Sequence, residues 1–121
     1  MLPWNPRILV CGGRNYRNKE LVEKVLDRLF TSDYQGVMMI IEGGAMGADR
    51  LAQDWAISRK CKYHTEPADW DKYHDAAGGI RNEKMARMLP DLCIAFPGGS
   101  GTEDMVKRCF AHKIKTIRIR G

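Results

Sequence analysis

The residues best placed to do chemistry lie in three short glycine-containing stretches. They are Gly12-Gly13-Arg14-Asn15, Gly43-Gly44-Ala45-Met46-Gly47-Ala48-Asp49 and Pro97-Gly98-Gly99-Ser100-Gly101-Thr102. Each follows a short apolar run and precedes a helical pattern. Glycine lets the backbone turn sharply and approach a ligand closely. A helix that follows offers unpaired N–H groups and the positive end of its dipole. The chemistry implied is the holding of an anion, phosphate above all. The third stretch is the most specific, because Ser100 and Thr102 add hydroxyl donors beside the amides, and Thr102 also fits a helix N-cap. Asp49 falls in the first turn of a helix, where a carboxylate matches the dipole or bonds to a ribose hydroxyl or the neighbouring loop. Arg81 and Asn82 follow Gly78-Gly79. Arg81 is expected in the first turn of a helix, on its sheet-facing side, and arginine suits bidentate phosphate recognition. The candidate ligand-binding set is therefore Gly12, Gly13, Arg14, Gly43, Gly44, Asp49, Arg81, Asn82, Pro97, Gly98, Gly99, Ser100, Gly101 and Thr102.

Two familiar phosphate motifs are missing. No glycine loop is followed by GK[ST], which argues against nucleoside-triphosphate hydrolysis, and no GxGxxG occurs, which argues against an ordinary NAD dehydrogenase. Asp69, Trp70, Asp71, Tyr73, His74 and Asp75 crowd one segment, but their spacing selects no metal geometry. We read the stretch from Glu66 to Gly78 as a lid or edge loop, with Trp70 or Tyr73 covering a base or packing on the core. His64 and His112 read as surface or structural residues. No metal, no cofactor and no catalytic residue is assigned.

The elements that must position these loops alternate. Strands are expected at Arg7–Cys11, Val37–Ile41, Lys62–Thr65, Leu92–Phe96 and Thr116–Arg120, the last at an edge. Helices are expected over about Asn18–Phe30, with Asn18 as N-cap, and over about Met46–Lys60, Gly79–Leu89 and Thr102–His112. Their apolar stripes recur at three- and four-residue spacing. This order implies an α/β, Rossmann-like three-layer fold: a mainly parallel sheet of about five strands with helices on both faces. The second and fourth strands carry the most continuous apolar runs and are expected at the centre. The ends of strands one, two and four then share one edge, where ligands bind near the point at which strand order reverses.

The 121 residues fit a single domain spanning 1–121. No apolar run approaches the roughly 20 residues that span a bilayer. The start Met1-Leu2-Pro3-Trp4-Asn5-Pro6 lacks the features of a signal peptide, so a cytoplasmic location without membrane contact is expected. Cys11, Cys61, Cys93 and Cys109 show no CxxC spacing and read as reduced, mostly buried thiols. The net charge of +5 favours anionic partners without the charge runs of a dedicated nucleic-acid binder.

Five motifs in order, Cys11 to Tyr16, Glu42 to Asp49, Ala68-Asp69-Trp70, Gly79 to Asn82 and Pro97 to Thr102, resemble the SLOG superfamily. That superfamily joins the DNA-processing protein A and Lonely-Guy proteins. The chain most resembles its small single-domain YspA-like branch, found in bacteria and phages, from Arg7 to about Ile117. The resemblance implies a Rossmann-like fold and binding of a nucleotide derivative, without implying a settled reaction. Lonely-Guy enzymes are phosphoribohydrolases that cleave the N-glycosidic bond of nucleoside 5′-monophosphates. Their PGGxGTxxE motif is matched from Pro97 to Thr102, and Arg81 and Met85 are similar in placement to residues of theirs. Where their motif has glutamate this chain has Met105, with Asp104 one position earlier and pointing about 100° away on a helix.

The favoured expectation is a nucleotide-phosphate binding module acting as a sensor or regulatory subunit, with a nucleotide-like small molecule as partner. The alternatives are a phosphoribohydrolase-like enzyme and, behind it, a single-stranded DNA-binding protein. Nucleic-acid binding is expected to be weak at most, since no stripe of basic and aromatic residues occurs. Self-association into a homo-oligomer is left open.

Overall fold

The computed structural model describes residues 5–30 and 38–121. Residues 1–4, within the N-terminal stretch weighed above, and Val37 of the expected second strand lie outside the described residues. Five strands form one sheet: β1 Arg7–Cys11, β2 Met39–Glu42, β3 Lys62–Thr65, β4 Leu92–Ala95 and β5 Thr116–Arg118. Five α-helices connect them: α1 Lys19–Phe30, α2 Ala48–Ser58, α3 Trp70–Tyr73, α4 Ala77–Arg87 and α5 Ser100–Ala111. The strand order is β3-β2-β1-β4-β5 and every pairing is parallel. This is the expected Rossmann-like α/β fold.

Alternation along the buried strands builds two cores. Ile8 and Val10 of β1 face one way, with Val22 and Leu26 of α1 and Ala52 and Trp55 of α2. Leu9 and Cys11 face the other, with Met85 and Ala86 of α4 and Met105 and Cys109 of α5. Successive β-strand side chains point to opposite faces, so a strand covered by helices on both sides reads as continuously apolar. The small residues Ala48, Ala52 and Ala56 let α2 lie close to the sheet, and all three are buried. The four cysteines are free and buried. Among the described residues, no helix is long and apolar enough to cross a membrane.

Several boundaries differ from the sequence expectations. The middle strand is β1, with β2 and β4 on either side of it. The leading Arg7 shortens the apolar run of β1, yet Ile8 to Cys11 are as buried as their neighbours. The Glu66–Gly78 stretch is less irregular than expected. It contains α3, N-capped by Asp69, whose Oδ1 accepts the Lys72 amide at 3.1 Å, and then a 3-10 turn over His74–Ala76. α4 begins at Ala77, so Arg81 sits in its second turn rather than its first. Gly78 and Gly79 lower helix propensity, which suggested a later start. They are accommodated because neighbours come close: a Cβ on Gly78 would lie 3.4 Å from the Trp70 ring, and one on Gly79 3.1 Å from the Arg108 guanidinium.

Candidate functional site

The loops after β1, β2 and β4 meet at the carboxyl edge of the sheet. The β1/β4 boundary is where strand order reverses, since the chain passes from β1 outward to β2 and β3 and returns to the far side of β1 with β4. Two of the loops are locked together at this seam. The Gly13 amide donates to the Pro97 carbonyl at 2.9 Å. A Cβ on Gly98 would lie 2.6 Å from the Gly13 nitrogen and would overlap Thr102 Oγ1, and one on Gly12 would lie 2.5 Å from Ala48 Cβ. Gly12, Gly13 and Gly98 thus permit close contact between protein segments. Gly99 and Gly101 differ: a Cβ on either would meet nothing within 4 Å.

A helix follows each of the three loops, and the three N-termini are finished in different ways. α1 is capped by Asn18, whose Oδ1 accepts the Leu21 amide at 3.1 Å, as expected. α2 is closed from above, where its first amide, that of Ala48, donates to Gly13 O at 3.2 Å. Gly47, at φ 82, makes the turn into it, and a Cβ there would strike Gly13 O. α5 has neither device. Its N-cap is Gly99 with no side-chain cap hydrogen bond, and among the described residues no partner is found for the amides of Ser100, Gly101 and Thr102. Thr102 lies two residues inside the helix and is buried, so it does not act as the N-cap. Of the three termini, only that of α5 has all three leading amides without a partner among the described residues; in α2 the first of them is taken and those of Asp49 and Arg50 are not.

The β2–α2 loop is organised by two buried carboxylates. Asp49 Oδ2 accepts the amides of Gly43 and Ala45, both at 3.2 Å, so Asp49 bonds to its own loop. It is 6% exposed, and burial pushes its carboxyl up to about 6, helped by the nearby Glu42 and opposed by those amides and Arg81. Glu42 is fully buried at the end of β2. Its Oε1 accepts the Gly44 amide at 2.6 Å, and its Oε2 accepts from Gln53 at 3.3 Å and from the Thr65 hydroxyl. Glu42 is not among the candidates that the sequence offers. An acid closing an apolar strand just before a glycine pair was the signal for it.

Arg81 reaches across the cleft floor. Its Nη1 donates to the Gly43 carbonyl at 2.6 Å and its Nε to Asn82 Oδ1 at 3.0 Å. Asn82 is buried and passes the connection on, donating through Nδ2 to Asp104 Oδ2 at 3.0 Å and to Gly101 O at 3.3 Å. Asn82 thus ties α4 to the start of α5. Asp104 also accepts from Arg108 Nε at 2.8 Å. Burial works to raise its carboxyl, but the hydrogen bonds from Arg108 and Asn82 outweigh that and hold it below the ordinary aspartate value. Further along the same seam, hydrogen bonds from Arg87, His112 and Arg108 bring Glu83 down to about 2. Glu103 pairs with Arg118 at 2.7 Å. Of positions 103 to 105, only Met105 lines the cleft.

The cleft has two compartments. The first, about 370 Å³, lies at the strand-order switch, between the β1 loop and the open start of α5. Gly12, Gly13, Asp49, Asn82, Gly99, Ser100, Gly101 and Thr102 contribute to it, with Met85 and Met105 as its apolar floor. The second, about 640 Å³, lies over Gly43 and Gly44, with Arg17 and Thr65 on its walls. Arg14, Ala45, Trp70 and Arg81 line both. Trp70 is 48% exposed, with the Arg14 guanidinium 5.9 Å from its ring centre. Of the sequence candidates, Pro97 and Gly98 line neither compartment and belong to the seam between loops.

A family model described as YspA, cpYpsA-related SLOG family matches residues 6–73, more than half of the chain, including the first two glycine loops. The chain belongs to this SLOG family. The chain is similar to the Gene 61 protein of Mycobacterium phage D29, 35% identical over 99 residues that cover 77% of this chain and 78% of the phage protein. The SLOG fold also matches the structure of DNA processing protein A from Streptococcus pneumoniae, with a TM-score of 0.78 at 19% identity. That match covers 96% of this chain and 50% of the other, so this SLOG chain spans about half the length of that protein.

Proposed function

We propose that the chain binds the phosphate of a nucleotide or nucleotide derivative in the first compartment and acts as a sensor or regulatory module. The observation that carries this is the uncapped N-terminus of α5. Unpaired helix amides next to a polar cleft form a site for an anion. Ser100 and Thr102 line the same compartment, and Arg81, which also lines it, supplies positive charge. Met85 and Met105 give an apolar floor, and Trp70 a ring face on which a base can stack.

The same geometry favours binding over bond cleavage. A general acid or base must come within about 3 Å of the bond it serves, or reach it through one water. Of positions 103 to 105 on α5, the one lining the cleft is Met105, which has no proton to transfer, and Asp104 is held by Asn82 and Arg108. The direct test is native mass spectrometry of protein purified from its expression host, followed by titration with a panel of nucleoside 5′-monophosphates. A co-purified or saturably bound nucleotide is expected. No adduct and no binding across the panel would overturn the reading.

A further inference from the structure

We infer that the second compartment is a second anion site, so that the cleft takes a nucleotide with two separated phosphate groups and its base between them. This rests on the phosphate reading for the first compartment and extends it. The walls of the second compartment include Arg14, Arg17 and Arg81 and, among the described residues, no aspartate or glutamate. Five arginines elsewhere meet carboxylates, Arg50 at 3.3 Å, Arg59 at 2.8 Å, Arg87 at 2.9 Å, Arg108 at 2.8 Å and Arg118 at 2.7 Å, while Arg7 donates to Leu89 O. The cleft arginines are held differently. Arg17 donates to the carbonyls of Arg14 and Tyr16, Arg81 to Gly43 O and Asn82, and Arg14 lies over the Trp70 ring. Three guanidinium groups bordering one polar space, none of them in a salt bridge among the described residues and only Arg81 near a carboxylate, that of the buried Asp49, repel one another, and an anion seated among them relieves that repulsion.

The first three amides of this loop are already taken. The amides of Gly43 and Ala45 are taken by Asp49, and that of Gly44 by Glu42. The second anion is therefore held mainly by side-chain guanidinium groups, which suit phosphate geometry. Trp70 and Arg14 form the wall common to both compartments, so a base stacked on Trp70 has one anion site on each side. A nucleoside 3′,5′-bisphosphate and an internal nucleotide of a short single strand share this chemistry.

Amide NMR titrations of the intact protein test it with three probes: adenosine 5′-monophosphate, adenosine 3′,5′-bisphosphate and a deoxyadenosine tetranucleotide. The bisphosphate is expected to bind at least about ten-fold more tightly than the monophosphate, and to shift Gly44 and Ala45 as well as Ser100 and Gly101. Arg17→Ala should bring the bisphosphate to within about two-fold of the monophosphate. Arg14→Ala provides a second variant with the same direction of effect. A tetranucleotide tighter than the bisphosphate supports the strand as source, and a weaker one supports the free nucleotide. Equal affinity of mono- and bisphosphate, with Ser100 and Gly101 shifting, overturns the second site and leaves the first. Shifts confined to Gly44 and Ala45 support the second site and overturn the first. No shift with any probe overturns both.

Discussion

The starts of α2 and α5 look alike in sequence, each a glycine-rich turn after a buried strand, yet they do opposite things. α2 is covered at its first amide: Ala48 donates to Gly13 O, and Gly47 fits under the β1 loop where a Cβ cannot. α5 is open: Ser100 and Gly101 are exposed and their amides lack partners among the described residues. A glycine in such a loop therefore has two distinct uses. It lets two protein segments touch, or it keeps a space clear for something else. The atoms that a Cβ would meet tell the two apart.

Substitution at the covered terminus sharpens this contrast most strongly. Gly47→Val puts a branched side chain at φ 82 and into Gly13 O. Left-handed strain and overpacking together are expected to lower stability by about 3 kcal/mol or more. Urea denaturation checks this, and a midpoint equal to wild type would show that the seam yields.

The next effect separates the buried carboxylate of the β2 loop from the ion-paired one on α4. Asp49 is raised from 3.8 to about 6 by burial, so the folded protein holds a proton that the unfolded chain has released across that interval. Stability should therefore fall as pH rises from about 4 to 6, by an amount on the order of 2–3 kcal/mol. Glu83 has the opposite sign. Lowered to about 2, it contributes stability that is present above its ordinary value of 4.5 and lost as pH falls toward 2. Denaturation in Asp49→Asn and Glu83→Gln against pH should remove the upper and the lower slope, respectively. A slope between pH 4 and 6 that survives in Asp49→Asn would assign it to another group.

Arg81→Ala is expected to weaken a nucleoside 5′-monophosphate by about 1.5–3 kcal/mol and to leave the unphosphorylated nucleoside nearly unaffected. Losing the bond to Gly43 O should also cost about 1 kcal/mol of stability. Calorimetry with both ligands checks this. Equal weakening of the two would make Arg81 a brace for the β2 loop and nothing more.

Much of the architecture was legible because it depends on short-range pattern. Apolar runs ending in glycine pairs gave the strands and the edge at which their loops meet. Asn18 announced its cap, and the phase of the α5 stripe separated Met105 from Asp104. What the pattern did not carry is which partner a polar group finds across the fold. The bonds of Asn82 to Gly101 and Asp104 appear only when α4 and α5 are docked together, and those of Glu42 to Gln53 and Thr65 only when α2 and β3 flank β2, whereas Asp49 bonds within its own loop. Gly98 and Gly99 are adjacent and chemically identical, and only the position of Thr102 and Gly13 gives them different roles. The early start of α4 was hidden for the same reason: packing by Trp70 and Arg108 overrides the low propensity of Gly78 and Gly79.

The smallest expected effect is catalytic. Wild type should release no measurable free base from nucleoside 5′-monophosphates by chromatography, because Met105 occupies the position that faces the cleft. Met105→Glu should raise release above that baseline. Robust turnover by wild type that is lost in Asp104→Ala would show that a carboxylate held by Asn82 and Arg108 still serves as the acid.

The most direct test of the open α5 terminus is Gly99→Val. Gly99 has φ −104, which any residue adopts, and open space where a side chain would go. The account predicts a thermal midpoint unchanged from wild type together with complete loss of nucleoside 5′-monophosphate binding in calorimetry. An unchanged midpoint with undiminished binding would contradict it and place the phosphate elsewhere.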